Sequence, residues 1–556
     1  MKIESKIIYK QKPKISNIDT NSFDDFEENV FIKKLIQNRV TEDIDIVKFF
    51  TPEFKDIQKP IELNYNDSLT NAIKLIESHI NSDKIIGFYC DYDVDGTTSL
   101  ALLYKTFKNI IGYNNFKIIF PNRFDGYGIT DNITNKIIEN DIDLLITADL
   151  GISDYKNINI LKENNIEVIV TDHHELPKVL PDCICINPKL GNYDKDICGC
   201  TTIWLLLVEL THSEDMYNYL DLVGIATIAD MVSLKSITNR FFINTGLEII
   251  NKNKKRYNLK TKIDEQDIKF NIAPMINSDS RLNGINKLAF KYLISNENNS
   301  EYNYNELENI NKKRKKLELI NTRQIEETKP QDNILIEYRL DMHTGIQGII
   351  ANKLSIKYNA VVIIFSKQKN KLLGSARSND IINLKDKLDL FQDKYNRLIS
   401  YGGHKSAAGL TIDITDFEFF KKKFIELIKE ETIKNELTKY YDFEYNSPTL
   451  DDYKNLKNIA PFGQGFEEPL FYGNMYLNSM TIMGIDRNHT KLIFKDPKSQ
   501  KRKIEAVMFY NTYIHNYLSK KINSNLKFTY QLSLNNYKGR KKLQLIIQDV
   551  IEDDNE

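Results

Sequence analysis

The chain has 556 residues but only five cysteines, which excludes a disulfide framework and fits a reducing compartment. No stretch approaches the run of about 18 apolar residues that a bilayer requires. The N-terminal MKIESKIIYKQKPKISNIDT lacks an apolar core followed by small residues, so no secretory leader is expected. Neither sign of charge is in excess: 76 basic and 77 acidic side chains leave a formal net charge of −1. Overall charge therefore gives no argument about a polyanionic partner, and only local patches can. No solenoid-type repeat occurs. What is present is 41% hydrophobic and 28% charged residues, the profile of several packed cores. A cytoplasmic protein of three or four domains with no membrane partner is expected.

Four cysteines form two C-x-C pairs, Cys183 with Cys185 and Cys198 with Cys200. Structural zinc usually takes C-x2-C or wider knuckles, and CICIN reads as a strand, so buried small residues are the favoured reading over zinc. From Ile85 to about Pro188 short apolar runs alternate with helical patterns, which predicts an α/β domain built on a parallel sheet. KIIGFYCD, FKIIFP, DIDLLITAD, IEVIVTDHH and CICINP read as strands, with a helix near Thr130 to Asn140. Each ends in polar, potentially reactive residues, and ligands bind in the crevice at the carboxyl ends of such strands. Residues 304–328 are charged, free of Pro and Gly, and periodic, as expected of a long connecting helix. A second, smaller α/β unit follows, with AVVIIFS and KLLGSARS as strands and YGGHKSAAG as a glycine-rich loop. Past Lys439, short β runs such as KLIFKD and KLQLIIQDV predict a small barrel. The predicted divisions are 1–60, 61–303, 304–328, 329–435 and 436–556.

The stretch FYCDYDVDGTTS places Asp91, Asp93 and Asp95 at alternate positions directly before Gly96. Aspartates after a strand often cap a helix, and a His-His pair is by itself more often structural. Here, however, Asp93 and Asp95, Asp149, His173 with His174, and Asp230 all read as groups at strand ends. Carboxylates with one or two imidazoles suit Mn²⁺ or Mg²⁺ better than zinc. Crowded without a cation they would repel one another. Two ions about 3.5–4 Å apart would relieve that repulsion and could stabilise both the entering and the leaving oxygen of a phosphodiester.

The motifs DYDVDGTTS, PNRFDGYG, TADLGIS, TDHHELP and GIATIADMVSL, in this order, resemble those of the DHH phosphoesterase superfamily, named for Asp172, His173 and His174. Within it the chain resembles the RecJ single-strand-specific exonucleases almost from end to end, through SRL, GIQGIIANKL, GSARS, GGHKSAAGL and PFGQGFEEPLF. The resemblance implies an OB-fold for the barrel, and Asp93, Asp95, Asp149, His173 and Asp230 as ligands of two Mn²⁺ or Mg²⁺ ions, with Asp149 bridging. It implies Asp91 behind them and His174 beside the scissile phosphate. It also implies a pocket for the DNA 5′ end built from Arg123, Ser375 and Arg377, with His404 facing the same cleft. Arg presents a donor fork that matches phosphate oxygens.

Three positions depart from the family pattern: Met275 stands for an arginine, Thr201 for a glycine and Phe466 for an asparagine, so Arg281 would carry more of the grip on DNA. KGRKK beside Tyr537 fits a strand-guiding groove on the barrel. The implied activity is hydrolysis of single-stranded DNA from the 5′ end to mononucleotides by a monomer, in repair and recombination, with a helicase and a single-strand-binding protein as implied partners. Two alternatives stand beside it: a short-oligonucleotide or cyclic-dinucleotide phosphodiesterase, and a catalytically silent DNA-binding scaffold.

Overall fold

The computed structural model describes residues 6–16, 30–378, 382–429, 436–484, 487, 489–509, 514–537 and 540–551. The chain divides into two compact units, one formed by Gln58–Val232 and Phe242–Asn435, the other by Lys6–Ile57, Ser233–Phe241 and Glu436–Glu556.

The first unit holds two sheets. In the first, five parallel strands lie in the order Phe116–Ile119, Ile86–Cys90, Leu144–Ala148, Glu167–Thr171 and Ile184–Ile186. Ile86–Cys90 and Leu144–Ala148 are buried throughout, which is why these strands read as unbroken apolar runs rather than alternating ones. The order reverses between them, and in doubly wound sheets a ligand crevice opens at such a reversal. Helices Val94–Lys105 and Leu220–Ala229 bury nearly all their residues, and Gly199–Thr211 buries its residues from Gly199 to Leu207.

Helix Ser300–Glu326 leads to the second sheet, starting four positions before the predicted 304 and ending two before the predicted 328. That sheet runs Ser400–Gly403, Ala407–Asp413, Lys371–Arg377, Val361–Gln368, Ile334–Arg339, with only the last pair parallel. One face is covered by an aromatic core that includes Phe391, Phe420 and Phe424, the other by Ile346, Ile350 and Leu354 of helix Thr344–Tyr358. YGGHKSAAG is therefore not a loop. Its two ends are paired strands, with Gly402 opposite Gly409, because two glycines next to a tight turn leave room for a hairpin as readily as for a coil.

The second unit is a closed five-stranded barrel in the order Phe471–Met483, His489–Asp496, Ser499–Met508, Arg540–Ile551, Asn525–Tyr537, the partly parallel closure of an OB-fold. Residues from the start of the chain are integral to it. Strand Lys6–Gln11 pairs in parallel with Glu436–Tyr441, and Arg39 clasps the buried Asp442 through Nε at 2.7 Å and Nη2 at 2.6 Å. The KGRKK reading lies largely outside the described residues, since Lys538, Gly539 and the side chains of Tyr537 and Arg540 are not among them.

Arg240 is fully buried in this unit. Its guanidinium donates to the carbonyls of Phe49 (2.6 Å), Ile459 (3.0 Å) and Ala460 (3.1 Å), and lies 4.2 Å from the ring of Phe49 and 4.9 Å from that of Phe466. Phe466 in turn stacks on Phe462, so the departure at this position is absorbed into an apolar core. Removing the guanidinium would strand several buried carbonyls. Arg240→Ala is expected to cost roughly 3–5 kcal/mol, lowering the calorimetric transition of a unit this size by roughly 10 °C. A shift under about 2 °C would mean that water takes the guanidinium's place.

Candidate metal centre

The carboxyl ends of the first-sheet strands deliver the charged residues to one point. Asp93 caps helix Val94–Lys105, accepting from Gly96 N at 3.2 Å. Gly96 is required because a Cβ there would lie 2.2 Å from the carbonyl oxygen of Asp91. One residue into the helix, Asp95 is buried and accepts from Gly199 N at 2.6 Å and Cys200 N at 2.7 Å. It thus fastens the start of helix Gly199–Thr211 to the first strand's loop. Asp149 follows the third strand with φ at 63°, a conformation unusual for a side-chain-bearing residue and typical of functional turns. Asp230 differs from the strand-end placement expected of it: it is the C-cap of helix Leu220–Ala229. The apolar run IATIA is helical because it is buried on every side, and periodicity cannot separate a buried strand from a buried helix.

The side chains converge on His173. Its Nε2 lies 3.1 Å from Asp149, 3.7 Å from Asp230 and 3.8 Å from Asp95, yet this nitrogen is buried without a hydrogen-bond partner. Three sets of side chains each bring donor atoms within 4.8 Å of one another: Asp95, His173 and Asp230; Asp91, Asp93 and Asp149; and Asp149, His173 and His174. Asp149 belongs to two of them. Two neighbouring oxygen-rich sets with an imidazole match the coordination preferences of Mn²⁺ or Mg²⁺, and the orphaned Nε2 is a free ligand atom. The residues therefore fit the ions. Among the described residues no cysteine belongs to such a set. Cys198 and Cys200 are buried, and Cys183 Sγ lies 3.8 Å from Cys185 Sγ.

Electrostatics bear the same signature. Burial and then Asp93 push Asp95 up to about 7, and burial and then Asp95 push Asp230 up to about 8. Burial, reinforced by other carboxylates, drives Asp91 and Asp149 well above the carboxylate range. Burial, followed by the neighbouring His174, holds His173 down to about 4, so it is a neutral imidazole, the ligating form. Burial opposes charge on His174, but its bond from Nδ1 to Asp172 at 2.7 Å and nearby carboxylates lift it to about 9.

Several residues beyond the expected set hold this arrangement. Asp172 accepts from Ile152 N at 3.0 Å, from His173 N at 2.8 Å and from the His174 ring. Tyr127 Oη lies 3.2 Å from His174 Nδ1 and 3.3 Å from the Asp149 carbonyl oxygen. Asn187 donates to the His174 carbonyl at 3.0 Å, and Lys189 donates to that of His173. Asp172 and Tyr127 sit inside the motifs TDHHELP and NRFDGYG, so a signal existed; Asn187 and Lys189 had none.

Within the same unit a cavity of about 760 Å³ is lined by Tyr92, Arg123, Arg281, Ser375 and Arg377, among others. Strand alternation turns Ser375 and Arg377 to the same face. The Arg123 guanidinium lies 4.6 Å from the ring centre of Tyr92. Burial and then Arg123 hold Arg281 down to about 9, and burial lowers Arg377. Clustered, poorly compensated cations of this kind await an anion. His404 is not part of this lining: it is exposed at the hairpin turn, its N–H donating to the Ala407 carbonyl at 2.8 Å. Met275 and Thr201 are buried.

Three family models match the chain: the DHH family N-terminal domain over residues 85–227, the DHHA1 domain over 331–430 and the RecJ OB domain over 442–549. The chain belongs to the RecJ family of DHH proteins. It is 29% identical to the single-stranded-DNA-specific exonuclease RecJ of Haemophilus influenzae, spanning 86% of this chain and 89% of that one. It is 26% identical to the Escherichia coli protein of the same name, over 90% of each. A crystal structure of exonuclease RecJ bound to manganese covers 66% of this chain and 96% of its own, at 28% identity and a TM-score of 0.59. Thermus thermophilus RecJ in complex with Mn²⁺ shares the fold over 100% of this chain and 80% of its own, with a TM-score of 0.80 at 21% identity. No helix among the described residues is long and apolar enough to cross a membrane.

At Gly199 a Cβ would stand 2.6 Å from the Cβ of Asp149. Gly199→Ala is accordingly expected to destabilise by roughly 1–3 kcal/mol and to weaken Mn²⁺ binding in calorimetric titration; unchanged affinity would show that Asp149 has freedom to move.

Proposed function

We propose that the protein is a metal-dependent exonuclease that degrades single-stranded DNA from its 5′ end to mononucleotides. The observation that carries this reading is the convergence of Asp93, Asp95, Asp149, Asp230 and the unpartnered Nε2 of His173 within one unit that also holds the arginine-lined cavity. Asp93, Asp95, Asp149, His173 and Asp230 would hold two Mn²⁺ or Mg²⁺ ions, with Asp149 shared between them. When bound, such ions supply neutralisation of phosphodiester charge and activation of a water.

This chain's own residues do the rest. Asp172 orients both histidines and keeps His174 charged, so that His174 faces a phosphate as a hydrogen-bond donor. Tyr127 limits how the His174 ring can turn. Arg123, Ser375, Arg377 and Arg281 grip a terminal 5′ phosphate, and a strand so anchored presents its first internal phosphodiester to the carboxylates, which sets both the direction and the single-nucleotide step. His404, at the exposed turn, would meet the strand outside this cavity. We take the domain limits to be 61–303 for the DHH part, 329–435 for the DHH-associated part and 436–556 for the barrel with its linker. The enzyme would act in the cytoplasm as a monomer, on strands exposed by a helicase and coated by a single-strand-binding protein.

The test is a long 5′-phosphorylated single strand labelled at either end. Mononucleotides are expected from the 5′ label at once, with Mn²⁺ or Mg²⁺ but not with EDTA, and not from blunt duplex. An intact strand beside rapid dinucleotide cleavage would overturn the reading in favour of a short-substrate phosphodiesterase. Asp149→Asn should reduce release to background while melting cooperatively in EDTA like the parent chain; near-normal turnover would refute the shared role of Asp149.

A further inference from the structure

Helix Val94–Lys105 carries the site carboxylates at its start and a separate cavity, of about 550 Å³, at its other end. Lys105, only 8% exposed, lines it. A buried ammonium is costly unless it is paired, and the carboxylate acting on it is already spent. One oxygen of Asp221 accepts from Arg256 at 2.7 Å and Tyr257 at 2.6 Å, the other from Leu222 N at 2.8 Å. The Lys105 ammonium makes no hydrogen bond among the described residues, and its Nζ lies 5.5 Å from the ring centre of Tyr219. Burial, and then Arg256, bring its amine down to about 8.

The backbone next to it is also unusual. Directly after Lys105 the helix widens into a π-helical segment, Thr106–Ile111, a distortion frequent at functional sites because it re-aims side chains. This turn brings Lys108 and Asn109 to the cavity. Arg256 and Asn253 line it from a second segment, the Arg256 guanidinium donating from Nη1 to Asp221 at 2.7 Å and from Nη2 to the Leu293 carbonyl at 3.1 Å. The one acidic lining residue, Glu297, is held by Lys255 at 3.1 Å.

We propose that this cavity binds a phosphate-bearing small molecule of up to mononucleotide size, its phosphate seated on Lys105, Lys108 and Arg256. The volume is in the range of small-molecule pockets, about 300–1,000 Å³, and Lys105, Lys108 and Arg256 meet one lining carboxylate, Glu297, already paired with Lys255, while Asp221 behind the wall pairs with Arg256. A free or terminal phosphate reaches the recessed Lys105, whereas a phosphodiester within a strand is flanked by sugar on both sides. The site is distinct from the carboxylate cluster and independent of the exonuclease reading.

The experiment is calorimetric titration of the full chain carrying Ser375→Ala and Arg377→Ala, in EDTA, with inorganic phosphate, dAMP, deoxyadenosine and a 5′-phosphorylated decanucleotide. Phosphate and dAMP are expected to bind one site, with deoxyadenosine silent and the decanucleotide weaker than dAMP. Adding Lys105→Met or Lys108→Ala should each reduce the affinity about tenfold, the loss of one charge-assisted bond. Should Lys105→Met fail to fold, Lys108→Ala decides alone, since that side chain is exposed. No binding, binding that Lys108→Ala leaves unchanged, equal binding of deoxyadenosine, or tighter binding of the decanucleotide would each overturn the proposal.

Discussion

Mutual repulsion among buried carboxylates is the constraint around which the first unit is organised. Asp91, Asp95, Asp149 and Asp230 all sit where burial and one another's charge make ionisation unfavourable. A fold tolerates such a cluster only when the backbone leaves no alternative. The Asp149 turn is left-handed, Gly199 admits its side chain at close quarters, and Asp95 is tied down by two N–H groups. Rigidity here comes from main-chain geometry rather than from attraction between the functional groups. Divalent cations supply the missing attraction, so metal binding and the stability of this region are linked.

The same economy governs the arginine-lined cavity. Arg123, Arg281 and Arg377 are placed by the 3₁₀ turn Arg123–Asp125, by helix Ala273–Asn283 and by strand Lys371–Arg377, three elements that are far apart in sequence. Two of them donate to backbone carbonyls, Arg281 to Gly345 at 3.2 Å and Arg377 to Ala376 at 2.7 Å, and Arg123 lies over the Tyr92 ring. On the proposed function, negative charge at one place and positive charge at another within one unit would let it take a polyanion by its end and hold metal against its backbone.

Much of this was legible in the sequence because the groups lie where strands end. FYCDYDVDG and LLITAD show both the buried strand and the carboxylate that follows it, and TDHHELP shows the imidazoles. Asp230 was legible as one of the converging carboxylates but not as a helix cap, since the run before it is buried and has no period to read. Asn187 and Lys189 could not be found at all: they act through backbone carbonyls, and a residue's partner there is fixed by the fold rather than by its neighbours in sequence. The hairpin at GGHKSAAG was hidden because glycine permits a turn without demanding any one type, and the exposure of His404 followed from that hairpin.

The barrel has a consequence for how the chain is made. Arg39 finds Asp442 403 positions later, and strand Lys6–Gln11 has its partner in Glu436–Tyr441. The segment that holds Arg39 thus leaves the ribosome long before its partners, with Phe31, Phe49 and Phe50, all buried in the finished unit, exposed until the region around Asp442 emerges. Translation at about 5–20 residues per second leaves them so for some tens of seconds. During that interval the DHH part can already have closed around its carboxylates, so the growing polypeptide acquires its candidate hydrolytic centre before its barrel.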